Sequence, residues 1–207
     1  DGARAICAEA GIPLAGGHSI DAPEPIFGLA FTGLINKAEI KRNNIAGVGD
    51  LLYLTKPLGI GILTTAEKQG KLLPEHVHIA PDVMKTLNVI GQKFAALDSV
   101  TAMTDVTGFA LLGHLLEMCQ GSEVSAVLDF KKVPCLDFVN DYIDKGCISG
   151  GCDRNFSSYG NDVSPLNAKQ KTLLCDPQTS GGLLVAVKPD GKEAFESICQ
   201  ENGLNLQ

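Results

Sequence analysis

The stretch Met103-Thr104-Asp105-Val106-Thr107-Gly108-Phe109 constrains the fold of this chain more than any other part of the sequence. The apolar run before it, Val100 to Met103, predicts a short strand, and the apolar spacing after Gly108 predicts a helix. Asp105 therefore lies at a strand-to-helix junction. A carboxylate at such a junction can hold Mg²⁺ beside a phosphate, or it can simply cap the helix, which is the commoner role. The local pattern leaves both interpretations open.

Two further loops combine hydroxyl groups with paired glycines: Gly16-Gly17-His18-Ser19 and Thr179-Ser180-Gly181-Gly182. Successive backbone N–H groups in glycine-rich turns can bind an anion. An ordinary connecting turn explains each loop equally well from the local pattern. Arg154, in another polar stretch, is either an anion clamp or a surface arginine.

Composition limits the classes of function. Of 207 residues, 44% are apolar and 20% are charged, which is typical of a globular protein of one large domain or somewhat more. The formal net charge is −7 and no Lys/Arg-rich run occurs, which argues against a nucleic-acid partner. No apolar run is long enough to predict a membrane span.

The seven cysteines form no Cys-x-x-Cys pair. This pattern predicts buried, reduced thiols in a cytoplasmic protein and argues against structural zinc. Cys152 differs because it lies in a polar, glycine-rich stretch. Among the histidines, His76 and His78 are predicted to be solvated, and His114 to lie on a helix face at a buried boundary.

Strand and helix patterns alternate irregularly, which predicts an α+β fold. The polar stretch 36–49 is the candidate domain boundary. Helices are predicted over 2–10, 58–68, 81–97 (one helix of about four turns), 109–119, 137–145 and 194–199. Strands are predicted over 26–33, 51–55, 100–103, 125–130, 173–175 and 183–187, with another beginning at 204–207, and a long polar loop over 148–171.

Three long motifs together resemble the selenophosphate synthetase (selenide, water dikinase) family. They are Ala15–Leu29, Met103–His114 and Leu174–Leu184, and the shorter segments Leu54–Gly61 and Arg154–Phe156 match the family as well. The resemblance runs over nearly the whole chain. One departure is Ala110, where the family usually has a second glycine.

The resemblance implies the aminoimidazole ribonucleotide synthetase-like fold. Residues 1–44 would be the C-terminal remnant of an ATP-binding N-terminal domain, with its last helix and strand. Residues 45–207 would form most of the C-terminal domain, a mixed sheet with packed helices. The sequence opens with Asp1 in mid-pattern. We therefore expect a piece of a longer protein, with a last strand segment following Gln207.

The resemblance also implies an activity: ATP, selenide and water give selenophosphate, AMP and phosphate, with Mg²⁺ in a homodimer. Asp105 matches a magnesium ligand, and Gly17, His18 and Ser19 match a segment that contacts ATP. Candidates for phosphate contacts are Arg154, Thr179 and Ser180.

The family's catalytic Cys or selenocysteine and its essential Lys precede the matched part, so no cysteine here is assigned a catalytic role. The alternatives are another ATP-dependent enzyme of the superfamily, or an inactive folding and dimerisation module.

Overall fold

The computed structural model describes residues 1–204 and 206, which form two compact units that divide after Ile40. The first unit begins with helix α1 (Gly2–Glu9). Gly11 follows it with φ +70°, a conformation that suits glycine at a helix C-terminus. A short 3₁₀ turn at Lys37–Glu39 ends this unit.

The strand predicted over 26–33 is wrong for this structure. The segment forms neither helix nor strand, and Ile26, Phe27 and Phe31 are 74%, 79% and 67% exposed. A strand requires a neighbour that accepts and donates its backbone hydrogen bonds. The described residues of the first unit contain no other strand to supply them.

The second unit is built on a three-stranded antiparallel sheet of β1 (Leu51–Leu54), β2 (Val100–Asp105) and β3 (Leu183–Val187), in the order β1-β3-β2. Every residue of β3 is buried, because side chains cover both faces of this central strand. Leu54 pairs with Leu184, and Asp105 pairs with Leu183. The ends of β1 and β2 therefore meet at the start of β3.

Helices cover both faces of this sheet. Among the described residues they are α2 (Ile60–Lys68), α3 (Ile79–Lys85), α4 (Ile90–Ala95), α5 (Ala110–Ser122), α6 (Val139–Asp144), α7 (Gly150–Tyr159), α8 (Ala168–Leu174) and α9 (Lys192–Glu201). Short 3₁₀ turns lie at Pro74–His76, Phe130–Lys132, Gly160–Asp162 and Pro189–Gly191.

The core has two parts because alternate residues of β3 point to opposite faces. Leu184 and Ala186 join the larger cluster with α2, α5 and α8. Leu183, Val185 and Val187 join the smaller cluster, which contains Phe94 of α4 and Phe195 of α9.

The single helix predicted over 81–97 is in fact two helices, α3 and α4. Tertiary hydrogen bonds hold the break between them. Lys56 Nζ donates to Thr86 O at 2.6 Å, and Asn88 Nδ2 donates to Gly181 O at 2.9 Å. Thr86 is extended, with ψ 121°, so the helix cannot continue through it.

The long loop predicted over 148–171 and the strand at 173–175 are also wrong, because α7 and α8 occupy this region. Their polar residues are helix caps. Ser149 Oγ accepts the Gly151 N–H, and Asn167 and Gln170 form a reciprocal capping box. Cys152 is consequently a buried helix residue and does not lie in a loop.

The strand predicted over 125–130 is absent from the described chain. Residues 124–129 instead line a groove of about 710 Å³ beside β1, and Val127 is 95% exposed. The strand predicted to begin at 204–207 falls partly on residues 205 and 207, which lie outside the described residues.

All seven cysteines are free, and the predicted burial is confirmed for all of them except the half-buried Cys135. The prediction for His76 is wrong, because its ring stacks on Phe138 and its Nδ1 lies 2.6 Å from the Tyr142 hydroxyl oxygen. His78 is exposed, as predicted. In the described part of the chain, no helix is long and apolar enough to cross a membrane.

Candidate active site

Two of the three sequence motifs meet at one end of the sheet. Val106 N–H donates to Gly182 O at 2.8 Å, and Gln178 N–H donates to Thr107 O at 3.0 Å. Leu183 N–H, at the start of β3, donates to Thr55 Oγ1 at 2.8 Å. The Asp105 junction, the Thr179–Gly182 loop and the end of β1 therefore form one hydrogen-bonded assembly.

The two glycines of the Thr179–Gly182 loop allow this close approach. A Cβ at Gly181 would lie 2.2 Å from Val106 O, and a Cβ at Gly182 would lie 2.4 Å from Lys56 N. Both contacts are with backbone atoms, which cannot move aside cheaply. Any larger residue would separate the loop from the Asp105 junction.

Asp105 is the last residue of β2, and its side chain is exposed. Its carboxylate caps no helix: α5 begins at Ala110, with Phe109 at the N-cap position and no side-chain cap. The N-cap interpretation is therefore wrong. Because the carboxylate also forms no ion pair or hydrogen bond with the described residues, both of its oxygens are available to a ligand.

His114 fixes the backbone beside Asp105. The Thr107 N–H donates to His114 Nε2 at 3.0 Å, so this nitrogen carries no proton. Burial lowers the pKa of His114, whereas the charges of Asp105 and Glu117 raise it. The net direction is downward, so the imidazole is neutral at pH 7. His114 lies on the buried face of α5, as the sequence predicted.

The residues of the second unit fit only part of a magnesium site. Asp105 offers one hard oxygen ligand, and the described residues contain no group of three His, Cys, Asp or Glu that could hold a metal ion. Mg²⁺ typically binds one or two carboxylates together with waters and substrate phosphates. Asp105 fits the role of one such carboxylate.

A buried network under the site involves Asp176 and Gln178, to which the sequence analysis gave no individual role. Gln178 Oε1 accepts the Gly59 and Ile60 N–H groups, and its Nε2 donates to Asp176 Oδ2 at 2.8 Å. Asp176 Oδ2 also accepts the Gly61 N–H, 115 positions away in the sequence. No local pattern signals a partner so distant, so the sequence alone could not reveal this network.

Burial raises the pKa of Asp176 to about 7, and its hydrogen bonds with Gln178, Ile62 and Gly61 oppose the shift. Its second oxygen, Oδ1, has no partner in the described chain. The carboxyl group is therefore partly protonated near neutral pH.

Asn155 is another residue that was missed. Its Nδ2 donates to Gly108 O at 2.8 Å and to Cys175 O at 3.2 Å, which ties helix α7 to both loops. Helix α7 was not predicted because the paired Gly150-Gly151 at its start is typical of a turn. Gly151 instead lets α7 pack tightly, since a Cβ there would lie 2.4 Å from Pro177 Cγ.

The remaining predicted site residues are exposed. Arg154 lies on α7 beside Asn155, and Thr179 lies in the loop. Ser180 has its Oγ engaged, because it donates to Met84 O at 2.7 Å. Gly17, His18 and Ser19 belong to the first unit, where they are exposed and lie outside helices and strands.

Residues 47–207 match the family described as AIR synthase related protein, C-terminal domain. This match covers more than half of the chain. The chain belongs to the AIR synthase related family. Family membership and the sheet with packed helices confirm the α+β fold that the alternating strand and helix patterns predicted.

The chain is 84% identical to a selenide, water dikinase of Colwellia psychrerythraea and 62% identical to one of Aeromonas hydrophila. Each match covers 100% of this chain and 60% of the relative. A thiamine-monophosphate kinase from Stenotrophomonas maltophilia superposes with a TM-score of 0.58 at 16% identity, over 83% of this chain and 49% of that protein. At that identity the likeness shows the fold alone.

Proposed function

We propose that the full-length protein carrying this chain is a selenide, water dikinase, which converts ATP, selenide and water into selenophosphate, AMP and phosphate. The observation that carries the proposal is the 84% identity, over the whole chain, to a relative of that name. The exposed, unpartnered Asp105 carboxylate at the end of β2 supports it, because ATP chemistry needs a metal-binding carboxylate near the phosphates.

In this proposal Asp105 supplies one ligand to Mg²⁺, and Gly17, His18 and Ser19 contact ATP. The bound Mg²⁺ would neutralise negative charge on the polyphosphate. His114 and Asn155 hold the backbone that follows Asp105, at the adjacent residues Thr107 and Gly108. Because this backbone is held, the Asp105 side chain extends from a fixed point, which lessens the reorganisation that metal binding would require.

In this proposal, residues 1–44 belong to an ATP-binding N-terminal domain and residues 45–207 belong to the C-terminal domain. The protein would act as a homodimer. Exposed apolar residues in the first unit, such as Phe27 and Leu34, are consistent with a surface covered by further protein. The seven free cysteines are consistent with the reducing cytoplasm.

Product analysis of the full-length protein tests the proposal. ³¹P NMR of a reaction with ATP, Mg²⁺ and selenide is expected to show selenophosphate, AMP and phosphate appearing together. Omitting selenide should stop AMP formation. ATP turnover that is independent of selenide would contradict the substrate assignment and favour a relative that acts on an amidine, thiamine phosphate or a carbamoyl compound.

A second candidate is that the 207-residue chain by itself is a folding and dimerisation module. The observation that favours it is the single metal-binding carboxylate, since the described residues contain no cluster of three metal ligands. Calorimetric titration of the chain with Mg-ATP tests this. We expect weak binding or none, and no turnover; tight binding would contradict the module.

A further inference from the structure

In the Thr179–Gly182 loop, three of the four backbone carbonyl groups accept hydrogen bonds, whereas the backbone N–H groups have no acceptor in the described chain. The carbonyls of residues 180, 181 and 182 accept hydrogen bonds from Lys56 Nζ, Asn88 Nδ2 and the Val106 N–H, at 2.7, 2.9 and 2.8 Å. In the part of the chain that the structure describes, none of the four N–H groups of residues 179–182 has an acceptor. Thr179 and Ser180 are exposed, but Gly181 and Gly182 are buried. Buried backbone donors are rarely left without a partner, and successive N–H groups in a turn of this kind can bind an anion.

Lys56 places a positive charge against this loop. Its side chain is nearly covered, with the residue only 6% exposed, and Nζ donates to Thr86 O and Ser180 O. No carboxylate among the described residues lies within ion-pair distance, and the third N–H of the ammonium group has no acceptor there. Burial lowers the pKa of Lys56, as expected for a cation without a counter-charge.

We propose that Lys56 and the Thr179–Gly182 backbone form a subsite for a tetrahedral oxyanion of the phosphate class. An anion here would satisfy the free N–H groups and balance the buried ammonium charge. The exposed Thr179 hydroxyl is a further donor, whereas the Ser180 hydroxyl is not, because it donates to Met84 O. The identity of the occupant rests on the proposed function: it is the terminal phosphoryl group of ATP or the phosphate that the reaction releases.

Equilibrium dialysis of the full-length protein with radiolabelled inorganic phosphate, without ATP or selenide, tests the subsite. Lys56→Met is expected to weaken phosphate binding at least tenfold, and Lys56→Arg to weaken it less. Thr179→Val, a change on the surface, should weaken it several-fold with an unchanged circular dichroism spectrum. Lys68→Met, at the exposed end of α2, is the matched control and should bind like the wild type.

A non-hydrolysable ATP analogue distinguishes the two sources of the anion. Competition with phosphate assigns the subsite to the terminal phosphoryl group, and simultaneous binding assigns it to released phosphate; both results support the subsite.

Wild-type phosphate affinity in a folded Lys56→Met protein would overturn the proposed subsite and give Lys56 a purely structural role. If Lys56→Met does not fold, unchanged affinity in Thr179→Val overturns it. The dialysis measures binding and not turnover, so a negative result would not argue against the dikinase assignment. If the dikinase assignment itself proves wrong, phosphate binding can still be measured in the same way.

Discussion

Asp176 shows how burial changes the chemistry of a single residue. Among the described residues it is the only fully buried acidic side chain, and its pKa is about 7 because the charged form is desolvated. In the unfolded chain the same group titrates near pH 4. Between these values the folded protein retains a proton that the unfolded chain has released. The free energy of unfolding should therefore fall as the pH rises through this window.

Asp176→Asn is predicted to remove this pH dependence while keeping the acceptor for Gly61. Wild-type stability should fall by up to about 1.4 kcal/mol per pH unit between pH 4 and 7, and the variant should show a much flatter profile. Denaturant titrations at pH 5 and pH 7.5 measure the difference. Asp98→Asn, at an exposed position, should behave like the wild type. Equal slopes for Asp176→Asn and the wild type would show that burial does not govern this carboxyl group.

Glu123 is held in a left-handed conformation, with φ +55°, where it ends α5. Glycine adopts this conformation without the steric cost that a Cβ carries. Because the Glu123 side chain is exposed, Glu123→Gly is predicted to stabilise the fold by about 1 kcal/mol. Glu123→Ala keeps the Cβ and should change stability little. Thermal unfolding measures the stability of both variants. A Glu123→Gly protein that is less stable than the wild type would show that the left-handed conformation of Glu123 carries no steric cost.

At the level of elements, α9 depends on one aromatic anchor. Phe195 is fully buried in the smaller cluster, with its ring centroid 4.5 Å from that of Phe94 and 4.7 Å from that of Tyr53. Phe195→Ala is predicted to cost about 3–5 kcal/mol of unfolding free energy, because the deletion leaves a cavity. Phe31→Ala, at a residue that is 67% exposed, is the control and should cost little. A loss below about 1 kcal/mol for Phe195→Ala would show that α9 packs differently.

Elements with strong local patterns were predictable from the sequence. The buried run of β3 and the strand-to-helix junction at Asp105 formed where periodicity placed them. The break between α3 and α4 was not predictable, because Lys56 and Asn88 impose it through tertiary bonds. Helix α7 was missed for a related reason: the glycine that suggested a turn serves close packing against Pro177.

The candidate site was predictable to the extent that motifs carry it. Residue type and spacing marked Asp105 and the Thr179–Gly182 loop as candidates, and only the family resemblance implied roles for them. In the structure, hydrogen bonds bring the two together. Lys56, Asp176 and Gln178 were missed because their roles come from burial and from partners far away in the sequence. The motif pattern also left open whether Asp105 caps a helix. Only the structure could answer this, because it shows that α5 begins at Ala110.

At the level of the whole molecule, the chain spans 60% of the length of the selenide, water dikinases from Colwellia psychrerythraea and Aeromonas hydrophila. We propose that it contributes one metal-binding carboxylate, Asp105, at the end of the sheet in its second unit. In this proposal the further metal ligands come from other parts of the full-length protein. Asp105 is therefore the residue of this chain on which the proposed reaction most directly depends.

The most direct test is Asp105→Ala in the full-length protein. The variant is expected to lose selenide-dependent AMP formation on the order of a hundredfold or more, because a metal ligand is removed. Its free energy of unfolding should stay within about 0.5 kcal/mol of the wild type, because the carboxylate caps no helix and is exposed. A folded Asp105→Ala protein that keeps wild-type selenide-dependent activity would contradict the account.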